Sequence, residues 1–135
     1  MEHSNDHAMR VVAIRRGLPI RVLVVDSQDD IGNLLTLAGY DVEVTGDASD
    51  ALLRLAQARY DLVISDLRIG LDGPGLYRQV VRRWPNEHPR FLLVSSSLDV
   101  AHYAQSLSVA HIAVLLKPFN ADHLRETVRR VLEAT

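Results

Sequence analysis

Four polar residues stand at the ends of four separate apolar runs. Asp26 follows Ile20–Val25, Asp66 follows Leu62–Ser65, Ser95 follows Phe91–Val94 and Lys117 follows Ile112–Leu116. A carboxylate at the end of a buried segment is costly unless a cation, hydrogen bonds or solvent receives it. Two such carboxylates on one rim repel, which raises a pKa or calls for a cation between them. Mg²⁺ commonly uses one or two protein carboxylates together with waters and phosphate oxygens. A hydroxyl and an ammonium can hold the oxygens of a phosphoryl group, and an aspartate can carry that group covalently. One polar residue after a strand means little, because strands run into loops. Two acids, a hydroxyl and a lysine are a more specific set. Of the 15 Lys and Arg residues, Lys117 is the only lysine, so its compact, flexible ammonium stands out against a chain that otherwise uses arginine.

These four residues need a frame that brings strand ends together. Asp61–Asp66 is short, β-branched and apolar up to its final acid, the pattern of a strand buried on both faces. Such strands belong to parallel sheets covered by helices, where ligands bind beyond the carboxyl ends. The chain supplies five strands: Ile20–Val25, Leu62–Ser65, Phe91–Val94 and Ile112–Leu116, and Asp41–Thr45, which alternates Val42 and Val44 against Glu43. Helices are expected between and after them. The first runs from about Asp29 to Ala38, with Leu34, Leu35 and Leu37 apolar and Gly39 as its stop. The second is capped by Asp47, with Ala48, Ala51, Leu52 and Leu55 on one face. The third carries Leu76, Val80, Val81 and Trp84 and ends at Pro85; the fourth carries Val100, Ala104 and Leu107. The last is capped by Asn120, with Leu124, Val128, Val131 and Leu132 inward and Arg125, Arg129 and Arg130 outward. Gly70 and Asp72–Gly75 form a turn-rich loop. Strands alternating with helices predict a three-layer α/β domain with a parallel sheet.

Composition narrows the function classes. The 135 residues carry a net charge of −2, so no overall charge favours nucleic acid or an anionic membrane. There is no cysteine, which excludes disulfides, thiolate metal sites and cysteine nucleophiles. No apolar run approaches a membrane span. Residues 1–19 are expected as a partly disordered extension with a brief apolar segment at Met9–Ile14 and a linker at Arg15–Pro19, and residues 20–135 as the domain. His88, His102, His111 and His123 are scattered and expected in surface or packing roles. No Gly-rich nucleotide fingerprint follows the first strand, and no Gly-x-Ser-x-Gly elbow surrounds Ser95–Ser97.

From Ile20 to Leu132 the chain resembles the receiver domain of two-component response regulators. The matching pieces are Leu23-Val24-Val25-Asp26, Tyr60-Asp61-Leu62-Val63-Ile64-Ser65-Asp66, Asp72-Gly73, Leu93-Val94-Ser95-Ser96 and Leu116-Lys117-Pro118-Phe119. The resemblance implies a flavodoxin-like fold, with five parallel strands in the order 2-1-3-4-5 and five helices. It implies that Asp66 accepts a phosphoryl group from a sensor histidine kinase or phosphotransfer protein. Asp26, Asp66 and the backbone carbonyl of Arg68 would hold Mg²⁺, Ser95 would be the switch hydroxyl, and Lys117 would bind phosphate. The implied protein is a cytoplasmic phosphoacceptor rather than an enzyme, with an unidentified downstream protein partner and no direct contact with nucleic acid or membrane. A homodimer is left open.

Departures from the family pattern set a second reading beside the first. The family usually has two adjacent acids after the first strand; here the second position is Ser27, which weakens Mg²⁺ binding. Asp29 and Asp30 are the nearby acids and suit helix capping better. The first helix is about a turn short, and the loop after Asp66 is one residue short and lacks the usual Pro before Gly70. Val114 stands where the family has an aromatic that moves with the switch hydroxyl. The alternative is therefore a pseudo-receiver, a phosphorylation-independent protein-interaction module on the same fold.

Overall fold

The computed structural model describes residues 14–15, 17–28, 30–69, 75–103 and 112–134. The apolar runs become seven strands in chain order: β1 (Ile14–Arg15), β2 (Leu18–Pro19), β3 (Arg21–Val25), β4 (Asp41–Thr45), β5 (Leu62–Asp66), β6 (Arg90–Ser95) and β7 (Ala113–Leu116). Five helices are described: α1 (Asp30–Leu37), α2 (Ala48–Gln57), α3 (Gly75–Arg83), α4 (Ser97–His102) and α5 (Ala121–Glu133). The expected Asp29, the turn residues Gly70 and Asp72–Pro74, Ala104, Leu107, His111 and the first 13 residues lie outside the described residues.

The main sheet is five-stranded and parallel, in the order β4-β3-β5-β6-β7. Counted from β3, that is the expected order 2-1-3-4-5. β5 is central and fully buried, because strands in this position are covered on both faces. Alternation sends its side chains to two cores. Leu62 and Ile64 join Val22, Val24, Leu92 and Val94 under Leu35 of α1 and Leu124 and Val128 of α5. Val63 joins Leu23 and Val25 under Ala51 of α2 and Val80 of α3. Each such side chain contributes about 1.5–3 kcal/mol through burial, so the strand that presents Asp66 is firmly fixed.

Local signals place the helices. Asp47 caps α2 by accepting the Ser49 amide, and Asn120 caps α5 by accepting the His123 amide. Gly39 ends α1 at φ +99°, the left-handed conformation that favours glycine.

Some expectations are corrected. Leu37 was expected on the apolar face of α1 but is 80 % exposed; the buried residues are Ile31, Gly32 and Leu35. Ile31 and Leu35 are four apart and share a face, whereas Leu37 is two residues further round. Arg15–Pro19, expected as a linker, contributes to an antiparallel hairpin in which Ile14 pairs with Pro19 and Arg15 with Leu18. Gly17, at φ +77°, supplies the turn.

Candidate functional site

Strand register carries the four strand-end residues to one rim. Val25 pairs with Ser65, so Asp26 and Asp66 follow side by side. Asp66 pairs with Val94, which puts Ser95 one step beyond it. Ser95 pairs with Leu116, which puts Lys117 one step beyond that. Backbone bonds hold the row in place. The Asp26 amide donates to the Thr45 carbonyl at 2.9 Å, the Leu67 amide to Val94 at 3.0 Å, and the Lys117 amide to Ser95 at 2.8 Å. The peptide bond from Lys117 to Pro118 is cis.

Asp66 is 6 % exposed and both carboxylate oxygens are engaged. Lys117 Nζ donates to Oδ2 at 3.0 Å, and the Arg68 amide donates to Oδ1 at 2.9 Å. Burial is the largest single influence on its ionisation and pushes the pKa up. The Arg68 amide, the Lys117 bond and charge, and the Arg68 charge together outweigh it and hold Asp66 below the usual carboxylate value. Of the two outcomes expected for neighbouring acids, a raised pKa or a cation, Asp66 therefore takes the cation.

Asp26 is equally buried, at 6 % exposed. One of its oxygens accepts the Gln28 amide at 3.1 Å, and among the described residues it has no ion-pair partner. A buried carboxylate without a cation, beside a second carboxylate, suits a hard divalent ion that prefers oxygen. Asp26 and Asp66 are the carboxylates that such an ion would meet. Ser27 is exposed and uncharged, and Asp30 is exposed as the first residue of α1. Among the described residues no group of three or more His, Cys, Asp or Glu is arranged to hold a metal. An ion held here would have one carboxylate fewer than two adjacent acids would provide.

Ser95 is 2 % exposed, and its hydroxyl donates to the Ser96 carbonyl at 3.1 Å. Ser96 caps α4: its hydroxyl accepts the Asp99 amide at 3.2 Å and bonds Asp99 Oδ2 at 3.1 Å. Val114 packs against Leu67 and Leu93, as do Ile112, Val100 and Tyr103. The aromatic ring in that cluster comes from the end of α4, not from β7.

One side chain was missed from sequence. Arg68 was read only for its backbone carbonyl, yet its Nε lies 3.8 Å from Asp66 Oδ1 and 3.7 Å from Asp99 Oδ2. An arginine two residues after an acid carries no spacing signal. Its link to Asp99 exists only once β5 and α4 are neighbours.

Comparison with known proteins agrees with this geometry. The profile of the response regulator receiver domain matches residues 22–129. The chain is 31 % identical over 117 residues to the C4-dicarboxylate transport transcriptional regulatory protein DctD of Rhizobium meliloti, covering 83 % of this chain and 25 % of DctD. It is 31 % identical over 114 residues to the DNA-binding response regulator MtrA of Mycolicibacterium smegmatis, covering 81 % of this chain and 49 % of MtrA. The chain thus spans about half or less of the length of these relatives. Among solved structures, chemotaxis response regulator CheY4 of Vibrio cholerae superposes with a TM-score of 0.72 at 27 % identity, covering 83 % of this chain and 98 % of CheY4. The signal receiver domain of an HD domain-containing protein from Pseudomonas fluorescens gives 0.71 at 30 % identity, covering 84 % of this chain and 94 % of that one.

Proposed function

Because this chain belongs to the response regulator receiver domain family, we propose that Asp66 accepts a phosphoryl group from a sensor histidine kinase or phosphotransfer protein. The observation that carries the reading is the buried Asp66 carboxylate bonded to the single lysine, Lys117, at 3.0 Å and held ionised. An ionised carboxylate is the nucleophilic form. An oxygen of Asp66 forms a bond to phosphorus while the bond from phosphorus to the donor breaks, and the donor leaves with that electron pair. Lys117 then faces an acyl phosphate rather than a carboxylate and holds its oxygens. Ser95, whose hydroxyl donates to the Ser96 carbonyl, exchanges that acceptor for a phosphoryl oxygen, and this exchange starts the conformational signal. Bound Mg²⁺ would supply positive charge against the transferring oxygens. Asp26, Asp66 and the Arg68 carbonyl would hold it, more weakly for the lack of a carboxylate at Ser27.

On this reading the chain is a phosphoacceptor that assists its own phosphorylation and dephosphorylation, not an enzyme acting on other substrates. Its partners are the phosphodonor protein and a downstream protein. Among the described residues no helix is long and apolar enough to cross a membrane. We place the protein in the cytoplasm, where the kinase and its phosphodonor meet.

A second reading, the phosphorylation-independent interaction module, is favoured by Ser27 and Val114, which stand where the family has an acid and an aromatic. The two readings separate in one experiment. Wild type and Asp66→Asn are incubated with acetyl phosphate and Mg²⁺ and examined by intact-mass spectrometry. Gain of one phosphoryl group by wild type alone supports phosphoacceptance. An unmodified wild type at high Mg²⁺ supports the interaction module.

A further inference from the structure

We propose that the Arg68 side chain is a second phosphate-binding cation of this site, held in place by Asp99 and offsetting part of the positive charge that a weaker metal site lacks. The inference rests on Asp66 being the phosphoacceptor. Arg68 Nε lies 3.8 Å from Asp66 Oδ1, on the oxygen not taken by Lys117. The two cations therefore approach the carboxylate at different oxygens, and a group attached to either oxygen would have a cation nearby. The guanidinium does not hang free: Asp99 Oδ2 sits 3.7 Å from the same nitrogen. Asp99 is itself fixed, because the hydroxyl of Ser96 bonds that oxygen and accepts the Asp99 amide. The cap of α4 thus sets an acid beside the Arg68 side chain, which stays 70 % exposed near the acceptor.

Charge balance gives the arrangement a purpose. Asp26, Asp66 and Asp99 supply three negative charges against the two positive ones of Lys117 and Arg68, so the site is short of positive charge before any phosphoryl group arrives. Phosphorylation replaces the carboxylate charge of Asp66 by about two charges on the phosphoryl oxygens. With Ser27 in place of a second acid, the ion that would balance them is held less firmly. Arg68 is fixed in charge and presents a planar fork of donors suited to such oxygens.

Arg68 has opposite effects on two measurements. Its positive charge opposes binding of Mg²⁺ alone but favours a complex that contains phosphoryl-like oxygens. A role limited to packing would shift neither, or both together. The test uses beryllium fluoride as the phosphoryl mimic, with ¹⁹F NMR reporting the adduct on Asp66 across a Mg²⁺ titration. Mg²⁺ alone is titrated in parallel by amide NMR. An exposed ion pair is worth up to about 1 kcal/mol, or about five-fold. Arg68→Ala is expected to raise the Mg²⁺ needed for half-maximal adduct by about three-fold, while binding Mg²⁺ alone as well as or better than wild type. Arg68→Lys should recover part of the adduct effect, and Asp99→Asn should weaken adduct formation less than Arg68→Ala. Equal Mg²⁺ requirements in wild type and Arg68→Ala overturn the proposal and leave the phosphoacceptor reading intact. Failure of wild type to form any adduct removes the phosphoacceptor reading and this one with it.

Discussion

Replacing Lys117 by Met removes the ammonium but keeps an apolar stem of similar length. Lys117 Nζ bonds Asp66 Oδ2 at 3.0 Å, and Asp66 is 6 % exposed. The variant leaves a buried carboxylate with the Arg68 amide as its remaining close donor. Hydrogen bonds to charged groups contribute about 1.5–3 kcal/mol. The lysine side chain is 33 % exposed, so solvent screens part of this. Lys117→Met should therefore destabilise the fold by about 2 kcal/mol at pH 7. The effect depends on pH with a definite sign. In the wild type the folded pKa of Asp66 is depressed. Its stabilising contribution is complete above the unfolded carboxylate pKa, about 3.9, and is lost as pH falls through the folded value. Without Lys117 its bond and charge no longer lower the pKa, and Asp66 takes up its proton at higher pH than in wild type. The difference between the proteins should therefore shrink as pH falls from the folded pKa of the variant toward the lower one of wild type. Urea unfolding at pH 7 and in mild acid measures it, read by far-UV circular dichroism and by Trp84, the only tryptophan, which packs on the α2–α3 core. A destabilisation under about 0.5 kcal/mol at neutral pH, or one that stays constant into acid, would refute the assignment of Lys117 as the partner that keeps Asp66 ionised.

Other outcomes follow from the same geometry. Ser27→Asp restores a second acid beside Asp26 and should raise Mg²⁺ affinity by about ten-fold at low salt, because an added charge acts on a divalent ion through solvent; calorimetric Mg²⁺ titration checks it. Tyr60, whose hydroxyl donates to Glu43 at 2.7 Å, has its pKa pushed up to about 12 by burial and then by Glu43. Glu43→Gln should bring that ionisation down toward the other tyrosines in an ultraviolet titration, and an unchanged profile would show that burial alone sets it. Asp47→Ala removes the α2 cap and should cost about 1 kcal/mol in urea unfolding, with Asp47→Ser recovering most of it.

The frame of the site was legible because its signals are local. Short β-branched runs ending in polar residues, with caps at Asp47 and Asn120, fix strands and helices whatever surrounds them. The parallel sheet then brings Asp26, Asp66, Ser95 and Lys117 to one rim through register alone. What the sequence concealed depends on neighbours distant along the chain. Leu37 reads as core by hydropathy, but Ile31 and Leu35 define the buried stripe and leave it outside. The hairpin at Ile14–Pro19 needs a turn at Gly17 that a lone glycine among arginines does not announce. Tyr103 enters the Val114 cluster only because α4 packs beside β6 and β7. Arg68 reaches Asp99 only because α4 lies beside the end of β5.

Locating the acceptor tests the central claim most directly. Protein treated with acetyl phosphate and Mg²⁺ is reduced with borohydride, which converts an aspartyl phosphate to homoserine, and its peptides are sequenced by mass spectrometry. Homoserine is expected at position 66 and nowhere else, with none in Asp66→Asn. Homoserine at position 26, or an unreduced Asp66 in protein that has taken up phosphate, would contradict it.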